Sequence, residues 1–305
     1  MIPGRPERQR GMMKIQGKTD RKGSAAGSRA FRVALFLLVV CGILHMIGCN
    51  RFFYVPSSRQ YRSPSDLPVP VEEVRFRSAD GTGLHGWLLR PPGNGEAVGT
   101  VVHFHGNAQN LSAHVGFVDW LAGRGYNVFV FDYRGYGDSE GSPERSGVIA
   151  DSRAALDYIR GRKDIDGSRL LVLGQSLGGA CALAALGEGS TEGVRAIAID
   201  SSFLSYRGVA NSVLGGTVLT KPLVWLLISP GHDPENSLSR LEGIPLLFIH
   251  GEADRLVKIS NGRELFEAAP EPKRFISVSG AAHMHALEGS TKDELVKFFS
   301  EALAD

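Results

Sequence analysis

Residues 169–186 read RLLVLGQSLGGACALAAL and predict a short strand, a sharp turn and a helix. The strand is the apolar run Leu170–Leu173, and the helix follows in small and aliphatic residues. Ser176 lies at the turn, inside the pattern G-x-S-x-G, in which a serine projects from a strained strand-to-helix turn. The N-terminus of the following helix favours negative charge that develops beside the serine. The stretch therefore predicts Ser176 as a nucleophile.

The first 48 residues differ in composition from the rest of the chain. Residues 1–32 carry nine Lys and Arg against two acidic residues, so the chain is acidic by five charges from Cys49 onward. Residues 33–47 form an apolar run without Asp, Glu, Lys or Arg. A basic segment before such a run is typical of a secretory signal peptide, and the run is short for a membrane-spanning helix. The acidic remainder argues against a nucleic-acid surface.

The end of this leader predicts a lipid anchor. The sequence Met46–Cys49 resembles a bacterial lipobox, with Met where Leu is usual, and the resemblance implies lipidation of Cys49 after cleavage of a signal peptide over 1–48. An uncleaved signal anchor is the alternative. Translation that begins at Met12 or Met13 would shorten the long basic segment. We expect a protein of the bacterial cell envelope, exported and anchored to a membrane.

Residues 71–305 predict one α/β domain, preceded by a Pro/Ser-rich linker over 49–70. A hairpin over 72–89 comes first, and strands then alternate with helices. Runs such as VVHFH, VFVFD, AIAID and LLFIH are almost continuously apolar, which is typical of a buried parallel sheet. We expect a mostly parallel eight-stranded sheet with helices on both faces, one of the helices over 108–124, and a short lid insertion at about 201–243.

A serine nucleophile needs a base that takes its proton and an acid that orients the base. Loops after two late strands offer both, at the carboxyl ends where sites in open α/β sheets lie. The candidate acids are Asp254, Glu252 and the strand-ending Asp200. The candidate bases are His283 and His285.

From about Val71 to its C-terminus the chain resembles an α/β-hydrolase. The motifs that carry the resemblance are HFHGNAQN (103–110), FDYRGYGDSEGSP (131–143), GQSLGG (174–179), HGEAD (250–254) and GAAHMH (280–285). The chain is similar to the compact branch that contains acyl-protein thioesterases and prolyl-oligopeptidase-like serine peptidases. This resemblance implies a triad of Ser176, Asp254 and His283, because Asp254 stands in the H-G-x-x-D pattern and His283 in a G-x-x-H loop.

The resemblance also implies an oxyanion hole made of two backbone N–H groups. Leu177 supplies one of them, directly after the nucleophile, and Asn107 supplies the other from the H-G-x loop. His103 and His105 form no recognisable metal-ligand spacing with a carboxylate. We therefore expect no metal and no other cofactor.

Three features are expected to shape the inside of the domain. Arg134 is expected to form an internal ion pair with Asp151, and Cys181 to be a small buried thiol. The apolar run Leu219–Ile228 within the insertion predicts either a wall that binds an acyl chain or a helix packed on the core. The insertion is too short for a large cap.

Together these features predict a serine hydrolase that cleaves carboxylic esters or thioesters through an acyl-enzyme intermediate. The absence of a large cap predicts a preference for short to medium acyl chains. A serine peptidase of the same fold and a non-catalytic envelope binding protein are the alternatives. The expected partners are a small acyl ester or thioester and, through the lipid on Cys49, a membrane.

Overall fold

The computed structural model describes residues 53–93 and 95–304, together with residues 1, 31–32 and 35–36. Cys49 and most of the predicted signal peptide therefore lie outside the described residues. Among the described residues, no helix is long and apolar enough to cross a membrane.

An eight-stranded sheet forms the centre of the compact unit Ile47–Asp305. Its strands are β2 (Val71–Arg77), β3 (Gly83–Leu89), β4 (Thr100–Phe104), β6 (Asn127–Asp132), β7 (Leu170–Gln175), β8 (Val194–Asp200), β9 (Leu246–Gly251) and β10 (Lys273–Val278). The order across the sheet is β10-β9-β8-β7-β4-β6-β3-β2. The pairs β2–β3 and β3–β6 are antiparallel and the other pairs are parallel. The predicted mostly parallel eight-stranded sheet is confirmed.

Helices cover both faces of this sheet. They are α1 (Leu111–His114), α2 (Arg145–Arg160), α3 (Leu177–Glu188), α4 (Tyr206–Val213), α5 (Thr220–Leu227), α6 (Ile259–Ala268) and α7 (Ser290–Ala304). Helices α2 to α6 pack into the core on one face, whereas α1 and α7 pack on the other. In β7, Leu170 and Val172 join the first core while Leu171 and Leu173 join the second. Burial on both faces explains the continuously apolar strands.

The single helix predicted over 108–124 is wrong. The segment starts with the two-residue strand β5 (Ala108–Gln109), continues as α1 and ends in 3-10 turns at Val115–Phe117 and Asp119–Arg124. Val118 has φ −133° and ψ −12°, which leaves the helical region. Two glycines and two valines in this stretch have low helix propensity, and tertiary packing therefore sets its path.

Residues 53–70, the described part of the linker predicted over 49–70, lie against the domain. Tyr54 and Leu67 are buried in the two cores. The two-residue strand β1 (Val55–Pro56) pairs in parallel with β5, and the Val55 N–H group donates to the Asn107 carbonyl at 2.8 Å. The apolar side chains of this Pro/Ser-rich stretch therefore hold residues 53–70 on the domain.

Two expectations about buried groups are confirmed. Arg134 forms a bidentate ion pair with Asp151, with Nη2 2.8 Å from Oδ1 and Nε 3.0 Å from Oδ2. Gly147 lies under this guanidinium, where a Cβ would come within 2.5 Å of its carbon atom. Cys181 is buried on α3, and burial raises the pKa of its thiol to about 12.

The predicted insertion at about 201–243 contains α4 and α5. Ser205 caps α4 by accepting the Gly208 N–H group at 3.1 Å. On α5, Val224 is buried in the core while the neighbouring Trp225 is exposed. The inner sides of these helices therefore pack on the domain and the outer side of α5 is uncovered.

Candidate active site

Ser176 lies in a strained turn between β7 and α3. Its φ of 52° and ψ of −122° place a non-glycine residue in a region that L-residues rarely adopt. Close backbone contacts surround it: a Cβ on Gly174 would lie 2.6 Å from the Cα of Gly179, and a Cβ on Gly178 would lie 2.1 Å from the carbonyl oxygen of Phe104. Glycine at these two positions is therefore a packing requirement of the turn.

The structure brings together the three residues of the predicted triad. His283 Nε2 lies 3.0 Å from Ser176 Oγ, and His283 Nδ1 lies 2.7 Å from Asp254 Oδ2. The other carboxylate oxygen of Asp254 accepts the N–H groups of Leu256 and Val257, each at 2.9 Å. These two bonds fix the orientation of the carboxylate toward the imidazole.

The environment of Asp254 keeps its carboxylate ionised. Burial opposes ionisation, but the contacts with His250 and His283 outweigh it and hold the pKa of Asp254 well below its usual range. His250 Nε2 donates to the Val257 carbonyl at 2.8 Å and lies 3.5 Å from Asp254 Oδ2. An ionised carboxylate only accepts hydrogen bonds, so the proton of the neutral His283 ring is on Nδ1 and Nε2 is free to accept the Ser176 hydroxyl.

Among the described residues, the side chains of the rival acids and of the rival base make no hydrogen bond to Ser176, His283 or Asp254, although the Asp200 carbonyl accepts the Ser176 N–H group at 2.8 Å. Asp200 is buried, accepts hydrogen bonds from Gln175 at 2.9 Å and from Ser201 at 2.8 Å, and has a pKa raised by burial. Glu252 and His285 are exposed. The Asp200 side chain therefore links the ends of β7 and β8, while Glu252 and His285 face solvent.

Asn107 and Leu177, the predicted oxyanion residues, line the same cavity as Ser176. Leu177 is the first residue of α3, so its N–H group has no carbonyl one turn back in the helix. The Asn107 carbonyl accepts the Val55 N–H at 2.8 Å and the Tyr136 hydroxyl at 2.6 Å. Sequence reasoning missed both of these partners, because one lies in the presumed linker and the other in a turn interpreted as structural.

An apolar cavity of about 460 Å³ opens at Ser176. Its walls come from α4 and α5, from Phe53 and Phe203, and from Leu256 and Val257 after the acid. Apart from Ser176 and Asn107, all of the residues that line it are hydrophobic. Within the predicted run 219–228, α5 packs on the core and also forms a wall of the cavity, which is the position that an acyl-binding wall would need.

The buried histidines near the site have protein partners. His103 Nε2 lies 3.0 Å from Gln175 Oε1, and burial lowers its pKa to about 3. His105 Nε2 lies 3.3 Å from Asp132 Oδ1. Within residues 53–93 and 95–304, no group of three His, Cys, Asp or Glu side chains is placed to hold a metal ion.

Comparison with known proteins identifies the family. A family model described as serine aminopeptidase, S33, matches residues 95–240. The chain is 38% identical to YfhR of Escherichia coli O157:H7 over 276 residues, and this alignment covers 88% of this chain and 93% of that protein. It is 32% identical to the α/β hydrolase domain-containing protein WAV2 of Arabidopsis thaliana over 268 residues, and this alignment covers 81% of this chain and 85% of WAV2. The chain belongs to the α/β-hydrolase family.

A solved esterase structure shares this architecture. The Pyrococcus furiosus esterase Pf2001 aligns with a TM-score of 0.66 at 20% identity, over 82% of this chain and 98% of that one. Since identity is low, the likeness concerns the fold. The predicted α/β-hydrolase fold is confirmed.

Proposed function

We propose that this α/β-hydrolase cleaves carboxylic esters or thioesters through an acyl-enzyme intermediate on Ser176. The observation that carries the proposal is the continuous chain of hydrogen bonds from Ser176 through His283 to Asp254 at the mouth of an apolar cavity. Such a chain supplies a nucleophile, a base and a group that orients the base.

In this mechanism Ser176 Oγ attacks the acyl carbon and His283 Nε2 takes its proton. The amides of Asn107 and Leu177 hold the resulting oxyanion. His283 then gives the proton to the departing alkoxide or thiolate, while the ionised Asp254 stabilises the imidazolium. Water attacks the acyl-enzyme in a second cycle of the same steps, and the acid product leaves.

The lining of the cavity supports an acyl group as the part of the substrate that the enzyme holds. Hydrophobic side chains surround Ser176, and the volume of about 460 Å³ lies within the usual range for small-molecule sites. Two short helices cover this cavity, with no larger cap in the described part of the insertion. We therefore expect short to medium acyl chains to be preferred.

A serine peptidase is the second candidate, because the matching family model is described as serine aminopeptidase. An aminopeptidase must hold the charged amino group of its substrate, for which a carboxylate is the natural partner. Among the described residues that line the cavity there is no Asp or Glu. Hydrolysis of p-nitrophenyl acyl esters together with inertness toward aminoacyl p-nitroanilides would favour the esterase; the reverse result would favour the peptidase.

Labelling with a fluorophosphonate probe tests the nucleophile. We expect the wild-type chain and a Ser168→Ala control to be labelled, and the Ser176→Ala variant to remain unlabelled. A series of p-nitrophenyl esters from acetyl to palmitoyl then measures chain-length preference. A wild-type protein that resists the probe and cleaves none of these esters would leave the non-catalytic envelope protein as the better interpretation.

We further propose that the N-terminus anchors the protein to a membrane through lipid on Cys49, with an uncleaved signal anchor as the alternative. The support is the basic segment, the apolar run and the lipobox-like end of the leader. Metabolic labelling with a palmitate analogue should mark the wild-type chain and spare Cys49→Ser. Membrane-bound wild type without label would contradict lipidation and favour the signal anchor.

A further inference from the structure

The outer side of the insertion exposes hydrophobic side chains outside the cavity. Val218 and Leu219, in the loop between α4 and α5, are 86% and 87% exposed, and Trp225 on α5 is 67% exposed. Leu226 is also exposed. We call these four residues the lid-tip surface. Apolar residues grouped on the surface of a soluble domain mark a site of contact with another molecule.

The segment 201–232, which carries the lid-tip surface, has charges of one sign. From residue 201 to residue 232 the chain contains no Asp or Glu, and its charged residues are Arg207 and Lys221. The Arg207 guanidinium lies over the Trp225 ring, 5.1 Å from its centroid. Aromatic and aliphatic side chains beside cations are typical of surfaces that contact anionic phospholipid headgroups.

The path of the chain favours a membrane as the partner. Phe53, the first described residue of the domain, lines the cavity together with residues of α4 and α5. Three residues lie between it and Cys49, and the four steps from Cys49 to Phe53 span at most about 14 Å in an extended chain. A lipid on Cys49 would therefore enter the bilayer within about 14 Å of a residue that lines the cavity.

We infer that the lid-tip surface docks on the phospholipid bilayer that holds the N-terminus, with Val218, Leu219 and Trp225 among the headgroups. Helices α4 and α5, which flank the loop of this surface, also form a wall of the cavity. An acyl chain therefore enters the site from the lipid without crossing water. This source of substrate rests on the proposed hydrolase function, whereas the docking itself does not.

Quenching of tryptophan fluorescence tests the docking. The full-length chain is reconstituted in vesicles of phosphatidylcholine and phosphatidylglycerol, with and without bromine on the acyl chains. Trp87 is buried and Trp120 partly buried, and a Trp225→Phe variant identifies the emission due to Trp225. We expect brominated lipid to quench that emission. Equal Trp225 emission in both kinds of vesicle would overturn the inference.

A double variant, Val218→Ser with Leu219→Ser, connects docking to activity. We expect its rate on a medium-chain acyl ester embedded in vesicles to fall about tenfold, since interfacial binding scales with the apolar area buried. Its rate on a water-soluble short-chain ester should stay within about twofold, because neither residue lines the cavity. Val98→Ser is the matched control: Val98 is also exposed but precedes β4 at the opposite end of the sheet, so both rates should be unchanged.

The outcomes separate this inference from the proposed function. A wild-type chain that cleaves neither ester while brominated lipid still quenches Trp225 would contradict the hydrolase and leave the docking supported. Equal losses on both esters in the double variant would overturn the docking as a route for substrate. A detergent-solubilised chain that is dimeric as wild type and monomeric as the double variant would also overturn it, by assigning the surface to a second copy.

Discussion

Replacing Asp254 by asparagine should abolish most of the proposed esterase activity while leaving the fold intact. Asp254 Oδ1 accepts two backbone N–H groups, from Leu256 and Val257, each at 2.9 Å. An asparagine satisfies both donors only with its carbonyl oxygen, because its amide nitrogen accepts no hydrogen bond. The amide nitrogen must then take the position of Oδ2, which lies 2.7 Å from His283 Nδ1.

This exchange reverses the tautomer of His283. Opposite an N–H donor, Nδ1 presents its lone pair, so the proton of the neutral ring is on Nε2. Nε2, 3.0 Å from Ser176 Oγ, then donates a hydrogen bond and no longer takes the serine proton. The wrong tautomer in a serine triad lowers kcat about 10⁴-fold. At about 1.36 kcal/mol per factor of ten, this is a loss of about 5 kcal/mol of transition-state stabilisation.

Steady-state kinetics on a soluble p-nitrophenyl ester measure the effect. KM should change little, because the residues that line the cavity are untouched. Glu252→Gln is the matched control, since it makes the same chemical change two residues away on an exposed side chain, and its kcat should stay within about twofold. A folded Asp254→Asn variant that keeps more than a tenth of the wild-type kcat would refute the reasoning, as would an equal loss in the control.

The remaining predictions concern stability and reactivity. Burial lowers the pKa of His114 to about 3. Between about pH 6.5 and pH 3 the unfolded chain therefore binds a proton that the native chain does not, so the free energy of unfolding falls by up to about 1.4 kcal/mol per pH unit as the pH drops. Denaturant unfolding at pH 7 and at pH 5 should show a smaller loss of this free energy for His114→Gln than for the wild type. Equal losses in the two proteins would contradict the prediction. Cys181, with its pKa raised to about 12 by burial, should escape iodoacetamide at pH 8 in the native chain and react after unfolding, as peptide mass mapping would show. Gly178→Ala should destabilise the protein by about 3 kcal/mol, because its Cβ would lie 2.1 Å from the Phe104 carbonyl, whereas Gly123→Ala, with no atom within 4 Å of the new Cβ, should leave the melting temperature nearly unchanged.

Sequence reasoning predicts this fold well where backbone geometry demands a residue type locally. Gly174 approaches Gly179, and Gly178 approaches Phe104, too closely for a side chain to fit. The turn can therefore be predicted from the five consecutive residues 174–178. The buried sheet is equally visible, since strands covered on both faces must be apolar throughout. The choice of Asp254 depended on the family resemblance, because composition alone does not distinguish an acid that orients a histidine from one that ends a strand.

The parts that sequence reasoning missed depend on contacts between distant segments. The stretch 53–70 has the composition of a linker, and nothing in it indicates that Val55 pairs with the loop at Asn107. The hydroxyl of Tyr136 likewise reaches the Asn107 carbonyl from another turn. Both partners hold the carbonyl of Asn107, the residue whose N–H group we propose for the oxyanion, so the N-terminal segment takes part in fixing this loop.

The sequence of α5 accounts for both the cavity and the lid-tip surface. Its residues, TKPLVWLL, are apolar on nearly every side of the helix, a pattern that is typical of helices covered all round. The domain covers only part of it: Val224 is buried, whereas Trp225 and Leu226 face outward. A helix whose only role was to close the cavity would carry polar residues on its outer side, at no cost to the inner wall. The outer apolar side therefore calls for a second contact, and the bilayer that we propose for the N-terminal anchor would provide it beside the cavity that we propose for the acyl chain.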